Sequence, residues 1–258
     1  MVAMATSDHR TGNICCLAWE EAIDNILARV RSLEAAGQRE RALALIEEQL
    51  PRYPQSLCLP LTQAHVLLDL GRFEEAKQVA GGALRSTAIP WHAPGSKELR
   101  EGRTHGALAL RVALGIALRK LGEHDASLSV LSRALKDDRK DPAALYQLAC
   151  TLDALGRSHD ALAQYIAAIA STEERTNTNI RLLIESALHQ LARRDVADAA
   201  DPLHGLFIAG AEAHARGDRR GMLAVFTEIR SSTSVIEDRT VHYAAQAALK
   251  LVWGKLDR

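Results

Sequence analysis

Four glycines, Gly37, Gly71, Gly122 and Gly156, are separated by 34, 51 and 34 residues. Two gaps are equal and the middle one exceeds them by 17 residues, so a 34-residue unit recurs and one junction carries an insertion. A fixed period in this range marks stacked supersecondary units, none of which can bury its apolar face alone. The flanking positions repeat as well. Four residues before each glycine stand Leu33, Leu67, Leu118 and Leu152, and seven before it the compact Val30, Ala64, Gly115 and Ala149. Five after it come Ala42, Ala76, Ser127 and Ala161, and thirteen after it Leu50, Leu84, Leu135 and Ile169. Apolar residues at three-to-four spacing on both sides predict two amphipathic helices. The glycine suits a left-handed turn closing the first of them, where a Cβ would cost about 1 kcal/mol. The small residues let the two helices cross closely, and enlarging them would overpack the crossing by about 1–3 kcal/mol.

Composition agrees. The chain of 258 residues is 47% hydrophobic but only 4% aromatic, rich in alanine and leucine, which favours helices over sheets. Thirty-two basic residues balance 32 acidic ones, leaving no net field to draw nucleic acid or an anionic membrane. An RNA-binding array would need a basic stripe, and Arg31, Arg119 and Lys120 are too few and too interrupted to make one. Cys15, Cys16, Cys58 and Cys150 fit neither a disulfide framework nor a zinc pattern. The opening "MVAMATSDHRTGNICC" has no apolar run of signal-peptide length, and no later stretch reaches membrane-spanning length. The expectation is a cytoplasmic chain without a membrane segment.

The period, the "LG" before the turn, the alanine early in the second helix and the "AL" near its end together resemble the tetratricopeptide repeat. The best matches are "LGRFEEAKQVAGGAL" from Leu70, "LGEHDASLSVLSRAL" from Leu121 and "LGRSHDALAQYIAAI" from Leu155. A looser unit, "AGQRERALAL", starts at Ala36. A degenerate fifth centres on Gly217, with Gly210 before it and Phe226 after it, although Met222 takes the small position and Arg230 the late leucine. Most of the family's customary aromatics are replaced by aliphatics, with Phe73, Tyr165 and Phe226 as exceptions. The resemblance implies an all-α, right-handed superhelical solenoid of helix-turn-helix repeats with a C-terminal capping helix.

The expected organisation follows from the punctuation. Residues 1–16 form a flexible N-terminus, and 17–175 hold four repeats with an insertion at about 85–104. An irregular helical linker occupies 176–202, the fifth repeat 203–236 and the capping helix 237–258. Asp141-Pro142 and Asp201-Pro202 each place a capping acid before a proline suited to the first helical turn. Pro51 and Pro54 end the second helix of the first unit. "SKELREGRTHG" extends the helix after the insertion only if Gly102 and Gly106 are tolerated within it. In the closing helix, Val241, Ala245, Ala248, Leu249 and Val252 share one face.

No nucleophile elbow, phosphate-binding glycine loop, dinucleotide fingerprint or HExxH is present. His204 and His214 have no Cys or Asp at ligand spacing, so no metal or cofactor is expected. "KDDRKD" from Lys136 reads as a solvated turn, and His124-Asp125 and His159-Asp160 as repeated surface turns. A one-dimensional stack spreads its side chains along a surface, which suits recognition better than chemistry.

The resemblance implies that first helices line a concave groove. Successive units would project Leu27, Arg31 and Glu34; Leu61, His65 and Leu68; Val112, Ile116 and Arg119; Tyr146, Cys150 and Asp153; and Phe207, Ala211 and His214. Some family members clamp an acidic C-terminal peptide with asparagines, lysine and arginine. The corresponding places here hold Leu27, Arg31, Thr62, Ala109 and Ala113, so that clamp is absent. The expected guest is an amphipathic or partly hydrophobic protein segment, with neither nucleic acid nor membrane as partner. The alternatives are cover by the chain's own insertion loop, "PWHAPG" with Trp91 and His92, or self-association into a homodimer through the Trp253 helix. A non-catalytic adaptor or assembly chaperone is therefore expected; the alternative is an enzyme or accessory domain with a small-molecule pocket built from the insertion and residues 174–201.

Overall fold

The computed structural model describes residues 9–54, 56–87, 97–172, 178–195, 199, 201–233 and 239–253, and these form α-helices with no strand among them. Helices α1 (His9–Ala35) and α2 (Arg39–Gln49) flank Gly37, and α3 (Cys58–Asp69) and α4 (Phe73–Thr87) flank Gly71. Helices α5 (Lys97–Lys120) and α6 (His124–Asp137) flank Gly122, and α7 (Pro142–Ala154) and α8 (Ser158–Ala170) flank Gly156. Then follow α9 (Thr178–Leu191), α10 (Pro202–Ala215) and α11 (Arg219–Ser232) about Gly217, and α12 (Arg239–Trp253). The insertion tip, with Trp91 and His92, lies outside the described residues.

All five turn glycines are left-handed, with φ of 71°, 74°, 82°, 72° and 72° in chain order. The hydrogen bonds around them are the same each time. The Gly37 N–H donates to the Glu34 carbonyl at 2.9 Å, and the Gln38 N–H donates to the Leu33 carbonyl at 2.8 Å. Gly71, Gly122, Gly156 and Gly217 repeat this pair of bonds, with Leu67, Leu118, Leu152 and Ala213 accepting the longer-range one. This is the Schellman closure, and it satisfies carbonyls that a helix end leaves open. The residue five after the glycine is buried in every unit: Ala42, Ala76, Ser127, Ala161 and, in the fifth, Met222. At the N-termini, Asp141 Oδ1 accepts the Ala144 N–H at 2.7 Å, and Asp201 Oδ1 accepts the Leu203 N–H at 2.8 Å. Each has proline at the first helical turn, as the sequence requires.

The chain divides into two compact units, residues 1–117 and 118–258, the division falling inside α5. In the first, Val30, Ile46, Leu59 and Leu67 are fully or almost fully buried around Ala42 and Ala76. A second cluster joins Ala64 of α3, Ala80 of α4, and Leu110 and Ala113 of α5, three of the four being alanine, which lets these helices approach closely. One expectation is corrected here, and one reading left open is settled. Helix α1 begins at His9, within the stretch expected to be flexible. Helix α5 runs unbroken through Gly102 and Gly106. A Cβ on Gly106 would meet Leu57 Cδ1 at 3.1 Å, so packing on Leu57 outweighs the roughly 1 kcal/mol that glycine costs a helix.

In the second unit α7 and α8 pack as a hairpin, and α8 is covered on several sides, by α7, α9 and α12. Its buried residues form a correspondingly wide arc: Ala161, Leu162, Tyr165, Ile166, Ala168 and Ile169. Helix α12 packs along both α11 and α8. The closing helix therefore covers the fourth repeat as well as the last. Ala244, Ala247 and Leu251 of α12 are buried beside the stripe of Val241, Ala245, Ala248 and Leu249, giving it two apolar faces for two neighbours. In the fifth hairpin the Phe207 and Phe226 rings meet edge to face with centroids 5.0 Å apart. Gly210 makes room for Phe226, whose Cζ would stand 2.7 Å from a Cβ placed there.

Candidate functional site

The stripe positions of the first helices fall at the same three places in every repeat, and their exposure changes along the chain. On α1 and α3, Arg31 and His65 are exposed while Leu27 and Leu61 are half-buried at the margin of the first unit's clusters. On α5, Val112 is buried with 7% of its surface exposed, and Ile116 and Arg119 are half-buried. On α7, Tyr146 and Cys150 are half-buried. On α10, Phe207 and Ala211 are both at 0% exposure. Phe207 therefore does not line a groove. It is the ring against which Phe226 packs, and this corrects its assignment as a contact residue. Val112 faces neighbouring side chains more than solvent, so a charge placed there would be buried and would report on folding instead of recognition.

The surface of the first unit combines apolar and charged groups. Leu27 and Leu61 provide the apolar part, with Arg31, Glu34, His65 and Asp69 beside them on α1 and α3. Partial burial raises the Glu34 pKa, helped by Asp69 and opposed by Arg39 and Arg31. The ring of His65 is crowded although the residue as a whole is exposed. Desolvation pushes its pKa below the ordinary imidazole value, against the pull of Asp69. Arg39 of α2 also approaches Asp69, at 3.9 Å.

In the second unit, Arg119, Tyr146 and Cys150 come together in a partly buried polar cluster. Tyr165 of α8 reaches the α7 stripe. Its OH donates to Asp153 Oδ2 at 2.8 Å and lies 3.4 Å from Cys150 Sγ, and its ring meets that of Tyr146 at 5.7 Å. Arg194, just past α9, forms an ion pair with Asp153, donates to the Ser158 carbonyl at 2.9 Å and lies over the Tyr165 ring. Arg119 donates to Gln147 Oε1 at 3.0 Å. Burial, with Cys150 nearby, pushes the Tyr146 phenol up to about 12, against the effect of Arg119 and a hydrogen bond to Gln190. Burial raises Tyr165 as well. Both phenols are therefore neutral near pH 7 and serve as hydrogen-bonding groups. The cluster ties α7, α8 and the end of α9 together while leaving Tyr146 and Cys150 half-open to solvent.

Sequence reasoning placed Arg119, Tyr146 and Cys150 on one surface but missed Arg194 and Gln190, for which no spacing signal exists. Tyr165 stood out as an aromatic retained among aliphatics. Among the described residues no group of His, Cys, Asp and Glu is arranged to hold a metal, and no helix is long and apolar enough to cross a membrane.

These features define an all-α protein of tetratricopeptide-like hairpins, a fold whose stacked helices in general offer extended surfaces for protein interaction. No protein-family model matches the chain, and no curated protein matches it. Among solved structures it is similar to a tetratricopeptide repeat protein from Parabacteroides merdae ATCC 43184, at 11% identity and a TM-score of 0.42, over 89% of this chain and 99% of that one.

Proposed function

We propose that this chain is a non-catalytic adaptor or assembly chaperone that holds a partly hydrophobic protein segment on the first-helix surface of its repeats. The observation that carries this reading is the recurrence of accessible side chains one repeat apart. Arg31 and His65 are exposed at equivalent positions, next to half-buried Leu27 and Leu61. An apolar strip edged by charge suits an amphipathic helix, whose apolar side lies on the leucines while its polar side meets the rim. Its place of action is the cytoplasm, where Cys58 and Cys150 remain thiols.

The test uses the intact chain as bait in host lysate beside the Arg31→Glu/His65→Glu variant, both sites being exposed and outside the core. The expected result is a discrete captured protein that the variant loses while its melting temperature stays at the wild-type value. Equal capture by both baits would count against the surface.

A further inference from the structure

Helix α4 holds two adjacent glycines, Gly81 and Gly82, in its interior. Neither is left-handed, unlike the five turn glycines. Among the described residues, a Cβ on Gly81 would meet only Arg85 Nη1, at 3.5 Å, and one on Gly82 only Arg85 Nη2, at 3.9 Å. Both are ordinary contacts with the end of a flexible side chain, so alanine fits at either place. Gly106 and Gly210 differ, because Leu57 and Phe226 fill the space beside them. None of the other four second helices, α2, α6, α8 and α11, has a glycine at these two places. The pair thus weakens α4 with neither a backbone angle nor a close neighbour that requires it.

Anchoring slackens at the same point. Twelve residues after the turn glycine, Gln49, Ala134, Ala168 and Ile229 are buried on α2, α6, α8 and α11. The equivalent Ala83 of α4 is only half-buried, as are Gly81, Gly82 and Leu84, while Arg85 and Ser86 are exposed. Ala80, fully buried, is the last side chain of α4 closed off from solvent among the described residues. Short helices in proteins are held mainly by packing, and here packing and intrinsic preference fall together. Each glycine in place of alanine makes the helical state about fivefold less favourable. It also leaves the backbone hydrogen bonds around it open to water.

We infer that residues 81–86 of α4 form a helix–coil switch, which opens and refolds while the α3–α4 hairpin up to Ala80 stays folded. Ala76 and Ala80 keep the first half of α4 buried. Opening withdraws Ala83 and Leu84 from the cluster of Ala64, Ala80, Leu110 and Ala113. It thereby bares apolar surface on the cluster against which Leu61 also packs. As coil the segment reaches up to about 12 Å further than as helix, which lengthens the connection toward α5. The switch is a property of this chain alone and stands whether or not a partner binds the first-helix surface.

Amide-resolved hydrogen exchange of the full chain tests this, with α6 as the control for ordinary fraying at a helix end. Protection at 82–85 relative to 76–80 is expected to be at least about tenfold lower than protection at 133–136 relative to 127–131, the matching residues of α6. Exchange at 82–85 is expected to stay nearly constant in low urea, because a small opening exposes little surface, whereas exchange at 76–80 accelerates. Gly81→Ala/Gly82→Ala is expected to raise protection at 82–85 about tenfold or more. Equal ratios in the two helices, exchange at 82–85 that follows urea as steeply as at 76–80, or unchanged protection at 82–85 in the double variant would each overturn the switch.

Discussion

A methyl group added at Gly156 and one added at Gly210 meet different obstacles. At Gly156 nothing lies within 4 Å of the new Cβ, but φ is +72°. Gly156→Ala is therefore expected to cost about 1–2 kcal/mol through the backbone alone. At Gly210 the backbone is helical and the obstacle is the Phe226 ring, 2.7 Å away. Gly210→Ala should cost about 1–3 kcal/mol, and Phe226→Leu in that background should recover part of the loss, whereas it should not rescue Gly156→Ala. Urea midpoints at constant slope measure both. The first kind of glycine was legible in the sequence because its reason is local. The second was visible only as a spacing, because its partner sits on the next helix. The phenols give a prediction of their own. Burial raises Tyr146 from the ordinary phenol value of 10.0 to about 12, so between those pH values the folded chain holds a proton that the unfolded chain has lost. Stability is expected to fall as pH rises through this window, and Tyr146→Phe should flatten the slope of a melting-temperature profile there.

Between elements, the Arg194–Asp153 pair shows what periodicity does not carry. Helix α9 could be read from its apolar stripe, yet its attachment to α7 depends on residues 41 apart in sequence. The Arg194 side chain is 8% exposed and that of Asp153 is 30% exposed. Arg194→Met leaves the carboxylate with Tyr165 as its one partner among the described residues, at an expected cost of about 1–3 kcal/mol. A double-mutant cycle with Asp153→Leu should return a coupling of about 0.5–3 kcal/mol, and additive losses would show that the pair does not anchor α9. Helix α5 carries the opposite lesson, since Gly102 and Gly106 argued against continuity and packing of Gly106 against Leu57 prevailed.

At the scale of the whole chain, the repeats were legible because each is closed by local hydrogen bonds and an alternation of small and apolar residues. The return of α12 onto α8 was not, because a second stripe of alanines names no neighbour. A strictly linear stack would lose only its last layer on truncation after Thr233. Here hydrogen exchange is expected to speed up in α7 and α8 as well, since α12 covers α8 directly. The central claim, that the first helices carry the recognition surface, is tested most directly by site-resolved photo-crosslinking in the native lysate. A photoreactive phenylalanine would be placed singly at Arg31, at His65 and, on the second-helix side, at Gln78, all three exposed. One discrete adduct from positions 31 and 65, missing at 78 and competed away by unlabelled wild-type protein, is the predicted result. Equal labelling from all three positions, or an adduct from Gln78 alone, would contradict it.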